Sequence, residues 1–262
     1  MTVKAIEINR HLNSLFPDTK EDTVDRVIYG DPDVEVEGIA VAWMPYAATL
    51  ERAREMGANV LVTHEPTFYS HRDLDDDNAA GMKETAEKRR WLDDAGMTVI
   101  RCHDVWDALP EIGIPFAWGA FLGLNEVQHQ ERYYNIYRVP EQSAEKFARQ
   151  VADRVKSLGQ ESVGFYGEAD RTIRNVGVGT GCISQPFKLY ELGADLAVSV
   201  DDIIRCWVAG ERCEDTGRPL VVVNHCVSEE PGIVVLSDYL KEAYPGTAVT
   251  HMPQRCTYRT IR

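Results

Sequence analysis

LVVVNH, at residues 220–225, runs four apolar residues into an asparagine and a histidine, and two other stretches share its form: VLVTHE at 60–65 and TVIRCH at 98–103. Short apolar runs bounded by polar clusters read as buried strands, so each histidine is expected at the carboxyl end of a strand. In open α/β sheets ligands bind at those ends, because loops and helix starts converge there. The expectation is that His64, His103 and His225 face one place.

Working outward, amphipathic or apolar helical stretches alternate with these runs. A helix is predicted over 3–16, a strand through Val36, Ile39, Val41 and Trp43, a helix through Leu50, Ala53 and Met56 closed by Gly57, and a helix over 79–95 closed by Gly96. A short helix follows over 116–122. The order of strand, helix, strand, helix favours a parallel or mostly parallel sheet covered by helices. A second unit is expected to begin near Tyr133 with a strand through Tyr134, Ile136 and Tyr137, after which Ser143 caps a helix whose Phe147, Val151, Val155 and Leu158 form one core stripe. Strands at 162–166, 173–178, 196–200 and 219–223 then alternate with helices at 187–192 and 201–210, before a helix through Val235 to Leu240 and a last strand near Ala248. This predicts an α/β protein of two lobes, each a sheet flanked by helices: residues 1–128 with 222–262 in the first, 129–221 in the second.

The chain has 262 residues and a net charge of −14, which repels phosphate backbones and argues against nucleic-acid binding. The one short basic run, Lys88-Arg89-Arg90, follows Glu84 and Glu87 on a predicted helix and reads as a solvated face. Six cysteines without CxxC spacing read as free thiols, neither a zinc knuckle nor a redox pair. The amphipathic start lacks the pattern of a signal peptide, and no apolar run has the length of a membrane span, so a cytoplasmic location is expected.

His103 and His225 each have a carboxylate four residues on, Asp107 and Glu229, which one helical turn would bring to the same side. Imidazole and carboxylate together suit zinc, iron or manganese, and a carboxylate can bridge two ions, which makes Asp107 and Glu229 the bridge candidates. The plainer alternative stays open at this point: histidines at strand ends are often simply hydrogen-bonded, and acidic residues cap helices. Gly177, Gly179 and Gly181 read as tight-turn glycines or as a phosphate cradle. His71, beside the acidic loop at 73–77, reads as an exposed loop histidine or as a substrate contact.

THEP at 63–66, CHDVWDALPEIG at 102–113, GADL at 193–196 and NHCVSEEPGI at 224–233 together resemble the Nif-three-like dinuclear metal-centre family, also called GTP cyclohydrolase I type 2. The resemblance runs in order through nearly the whole chain. It implies His64, Asp107, His225 and Glu229 as metal ligands, His103 as a ligand or close partner, a metal site in the cleft between the lobes with most ligands on the first, and a toroidal homo-hexamer. Glu65 stands where that family usually has a second histidine. As a ligand it would supply a harder oxygen donor and one more negative charge, favouring manganese, magnesium or iron over zinc there. The expected function is a metal-dependent hydrolase with two divalent ions, acting on a small nucleotide-like or purine-ring substrate. The alternative is a non-catalytic metal-binding or regulatory ring protein.

Overall fold

The computed structural model describes residues 3–16 and 22–261. Among them are eleven strands: β1 Val27–Tyr29, β2 Gly38–Ala42, β3 Val60–Thr63, β4 Thr98–Arg101, β5 Glu126–Gln130, β6 Tyr134–Ser143, β7 Gly164–Tyr166, β8 Thr172–Gly179, β9 Leu196–Val200, β10 Leu220–Val223 and β11 Ala248–His251. The chain divides into two compact units, one of Met1–Leu109 with Ile233–Pro253 and one of Pro110–Gly232 with Gln254–Arg262.

The first unit carries a five-stranded sheet in the order β1-β4-β3-β2-β11. β11, β2, β3 and β4 run parallel, and β1 closes the edge antiparallel to β4. Every residue of β2, β3 and β4 is buried, as strands covered on both faces must be, and this is why their sequences read as continuous apolar runs. The crossover helices Ala47–Glu55 and Lys83–Ala95 bury Leu50, Ala53 and Leu92 against Ala40, Leu61, Val99, Met97 and Phe68. Gly96 ends the second of these helices at φ 61°, a left-handed conformation that a residue with a Cβ adopts at a cost.

The second unit carries a six-stranded sheet in the order β5-β6-β8-β9-β10-β7. Only β8, β9 and β10 are parallel; β5, β6 and β7 pair antiparallel. Helix Ala144–Val155 begins as expected, with the Ser143 hydroxyl accepting the Lys146 N–H at 3.3 Å, and it buries Phe147, Val151 and Val155.

The structure departs from the sequence expectations in four places. The boundaries of the units fall at 109 and 232, not at 128 and 222, because Trp118, Leu122 and Leu124 pack into the second unit's core with Tyr137, Val176 and Val178. β10 therefore lies in the second sheet, so LVVVNH and the other two runs are not strands of one sheet. Residues 201–210 are not one helix: a 3-10 turn covers Asp201–Ile203 and a π-helical turn covers Cys206–Gly210. The last helix starts much earlier than expected, spanning His225–Ala243. The edge strands were not expected: β1 is an apolar run of only three half-buried residues, Val27–Tyr29, and β5 is polar apart from Val127.

Candidate metal centre

β3 and β4 are parallel neighbours with Thr63 opposite Arg101, so residues 64–65 and 102–103 leave the first sheet at one level. The buried His64 places its Nδ1 3.1 Å from the Cys102 carbonyl. A carbonyl only accepts, so Nδ1 donates, and in the neutral ring Nε2 carries the lone pair. That nitrogen lies 3.6 Å from Oδ1 of Asp107. The other Asp107 oxygen lies 3.7 Å from Nδ1 of His103, whose ring stacks on His64 with centroids 4.6 Å apart. Glu65 joins them: one donor atom from each of His64, Glu65 and His103 falls within 4.8 Å of the others. All four sequence candidates of the first unit thus converge.

Asp107 arrives there on the short helix Asp104–Ala108, which follows β4. The buried carboxylate of Asp25 receives the backbone N–H groups of His103, Asp104 and Val105, the donors that a helix start leaves without partners. Asp25→Ala should lower stability by about 2 kcal/mol, seen as a lower denaturant midpoint at unchanged m-value.

His103 is pulled two ways. Burial alone would lower its pKa, but the Asp107 carboxylate, the 3.0 Å hydrogen bond to Asp104 and the charge of Glu65 outweigh burial and hold it at about 9. Because that value lies above the ordinary 6.5, the ion pairing stabilises the metal-free fold fully below pH 6.5, and this contribution is lost as pH rises through about 9. A cation competing for the same ring must displace the proton. Affinity for a divalent ion should therefore climb with pH by up to about tenfold per unit, levelling near the pKa of His103, as competition titrations with a metal indicator would show.

Arg101, fully buried, lies under this cluster. Its Nε donates to the His64 carbonyl at 3.0 Å, Nη1 donates to the His71 carbonyl and to Asp73 at 3.2 Å, and Nη2 lies 3.7 Å from Glu65. Asp73 in turn accepts the N–H groups of Thr67 and Phe68, tying down the loop behind Glu65. His71 is exposed and meets Arg101 Nη2 through Nδ1 at 3.3 Å, while its ring sits edge-on to His103. Burial, Arg101 and His103 push its pKa down to about 4, so it is neutral and accepts from the guanidinium.

In the second unit, β9 and β10 are parallel with Val200 opposite Val223, so Asp201 and Asp202 emerge beside Asn224 and His225. Asp201 receives the His225 N–H at 3.0 Å and the Asn224 amide at 3.0 Å. The Nδ1 of His225 donates to Asp202 at 2.8 Å. Glu229, one turn along helix His225–Ala243, puts Oε1 3.0 Å from Nε2 of the same ring. Burial opposes a charge on His225, yet Glu229 and Asp202 raise its pKa well above the ordinary value. Gly181 lets the chain come close: a Cβ there would meet Glu229 Oε1 at 2.9 Å, and φ is 64°. Gly177 and Gly179 make no phosphate cradle. They lie in β8, where a Cβ would strike Leu189 and Ala194 at 2.9 Å and Ser184 at 2.6 Å.

Both clusters ask for a cation. Each sets an imidazole whose Nδ1 is already bonded against a buried carboxylate, so an ion that displaces any proton on Nε2 would find two electron-pair donors facing one another across 3.0–3.6 Å. An ion bonded to each donor at about 2.0–2.2 Å would span such gaps, and both donor types bind zinc, iron and manganese. The residues therefore fit the divalent ions that the resemblance implied. Sequence reasoning missed Asp25, Asp202 and Arg101. Only Arg101 left a signal, as a lone cation inside the apolar run TVIRCH.

Two α/β units that each carry histidine–carboxylate donors at strand ends define a candidate metal-binding protein. The chain belongs to the Duf34/NIF3 (NGG1p interacting factor 3) family, whose model it matches over residues 2–256. It is 23% identical over 250 residues to a GTP cyclohydrolase 1 type 2 homolog of Clostridium perfringens, a match covering 92% of each chain. The Staphylococcus aureus hypothetical protein SA1388 superposes with a TM-score of 0.82 at 19% identity, covering 100% of both chains. A Bacillus cereus protein related to NIF3 does so with a TM-score of 0.75 at 14% identity, over 99% of this chain and 98% of that one. The structural likenesses establish the fold. Among the described residues no helix is long and apolar enough to cross a membrane.

Proposed function

We propose that the protein is a metal-dependent hydrolase with two divalent ions, acting on a small nucleotide-like or purine-ring substrate. One observation carries this reading: the buried Glu229 carboxylate faces Nε2 of a histidine whose other nitrogen is already committed to Asp202. His64, Glu65, His103 and Asp107 would hold an ion in the first unit, and His225 with Glu229 would supply the donors of the second. Divalent ions bound to such groups lower the pKa of a coordinated water and polarise the carbon or phosphorus centre to be attacked. The protein's own groups prepare for this. The Cys102 carbonyl and Asp202 fix the tautomers of His64 and His225, presenting Nε2 in each, and a partner of that kind also raises the ring's basicity. Arg101 lies between Glu65 and Asp73, and its one charge offsets part of theirs.

The purine-like substrate rests on the name of the Clostridium perfringens relative and on the family resemblance. The same resemblance supports a homo-hexamer, and the net charge of −14 supports a small-molecule substrate over nucleic acid. The test is turnover: metal-loaded protein screened against nucleoside triphosphates and phosphodiesters should hydrolyse at least one, and a chelator should stop it. Inertness across such a panel in every metal form would leave a metal-binding protein without hydrolase activity.

A further inference from the structure

Cys182 lies on the turn Gly181–Ile183, just after β8, near Asp202 and His225. The Sγ is 3.9 Å from Oδ2 of Asp202, the same oxygen that accepts from His225 Nδ1 at 2.8 Å. Donor atoms of Cys182, Asp202 and His225 all lie within 4.8 Å of one another. Cys182 and Asp202 are exposed, so an ion from solvent can reach them, while His225 is buried and held at its backbone by Asp201. Thiolate, carboxylate and imidazole are the donor types of a zinc-like site, with bonds of about 2.0–2.3 Å.

We propose that Cys182, Asp202 and Nδ1 of His225 form a separate site for a thiophilic divalent ion, zinc or cadmium in class, whose occupation excludes an ion from Nε2 of the same ring. The inference rests on the reading above only for the second clause. Binding releases the thiol proton and the Nδ1 proton to solvent and leaves the ring neutral with its proton on Nε2, which donates to Glu229 Oε1 at 3.0 Å. Thiolate and carboxylate together neutralise the incoming double charge. One neutral imidazole then serves either face, not both, so a soft ion on the Cys182 side antagonises a hard ion on the Glu229 side.

The test uses the metal-free full chain with Cys206→Ser and Cys256→Ser. This leaves Cys182 as its exposed thiol, since Cys102, Cys213 and Cys226 are buried. Cadmium titration should produce a saturable sulfur-to-cadmium charge-transfer band at one equivalent. The band should vanish in Cys182→Ser, weaken in affinity about 10- to 100-fold in Asp202→Asn, and survive in Glu229→Gln. In the same background, one equivalent of cadmium should reduce manganese bound to the protein, measured by electron paramagnetic resonance, and should not do so in Cys182→Ser. A band that persists without Cys182, or never forms with it, overturns the site. Manganese that stays bound while the band is saturated overturns the exclusion. If manganese binds to no variant while the band follows Cys182, the hydrolase reading falls and the thiophilic site stands.

Discussion

His225→Ala is expected to lower metal-dependent turnover by at least about a thousandfold, a loss of more than about 4 kcal/mol of transition-state stabilisation. The substitution removes the nitrogen that faces Glu229 and strands that carboxylate, which is 2% exposed, without its nearest cationic partner. The effect is distinguishable from a general loss of structure. Val223 and Cys226 on either side are fully buried and untouched, and the His225 N–H bond to Asp201 is a backbone contact that alanine keeps. Asp202→Asn provides the graded comparison. An amide oxygen can still accept from Nδ1 but no longer raises the ring's basicity, so the loss should be only about 10- to 100-fold. Steady-state rates of the two variants, at saturating metal and with unfolding midpoints measured alongside, check both expectations. Equal losses in the two would show that ring orientation, not donation from Nε2, is what matters.

Arg101→Gln should have the largest effect on stability, about 3–5 kcal/mol, because it leaves two buried carboxylates without their cation. Asp73 is 1% exposed and Glu65 8%, and both turn oxygens toward the guanidinium. The same side chain donates to the carbonyls of His64 and His71, so its loss also removes the donor to the buried His64 carbonyl. Glutamine is too short and carries too few donors to serve these groups together. Adding Glu65→Gln to this variant should recover part of the lost stability by removing one of the unmatched charges. Denaturant unfolding of both variants decides this. A double variant no more stable than Arg101→Gln alone would mean that Arg101 serves the loop through Asp73 and the carbonyls, and not Glu65.

Much of the first unit was legible in the sequence because its strands are buried on both faces. VLVT and TVIR read as strands for the same reason that they lie in the centre of a parallel sheet, and their shared register is what sets His64 beside His103. The i,i+4 spacings also held their meaning: Asp107 and Glu229 sit one helical turn from His103 and His225, each within reach of an imidazole. What local pattern cannot convey is which sheet a strand joins. LVVV looks like VLVT, but its partners are β9 and β7, and those pairings depend on residues at 196–200 and 164–166. The supporting carboxylates were hidden for a related reason. Asp25, Asp73 and Asp202 lie in polar stretches indistinguishable from solvated loops, and only the folded chain shows Asp25 closing a helix, Asp73 meeting Arg101 and Asp202 meeting His225. The glycines at 177, 179 and 181 read as tight-turn glycines or a phosphate cradle, but two of them serve close packing inside β8 and the third the approach to Glu229.

The central claim, that these histidine–carboxylate sets hold metal, is tested most directly by elemental analysis of the full chain purified without chelator and without a histidine tag. The account predicts close to two equivalents of divalent metal per chain, with manganese or iron prominent because Glu65 offers an oxygen donor. It also predicts a fall by about half or more in His225→Ala. Protein that carries no stoichiometric metal in any preparation, and takes up none when manganese, iron or zinc is supplied, would contradict it.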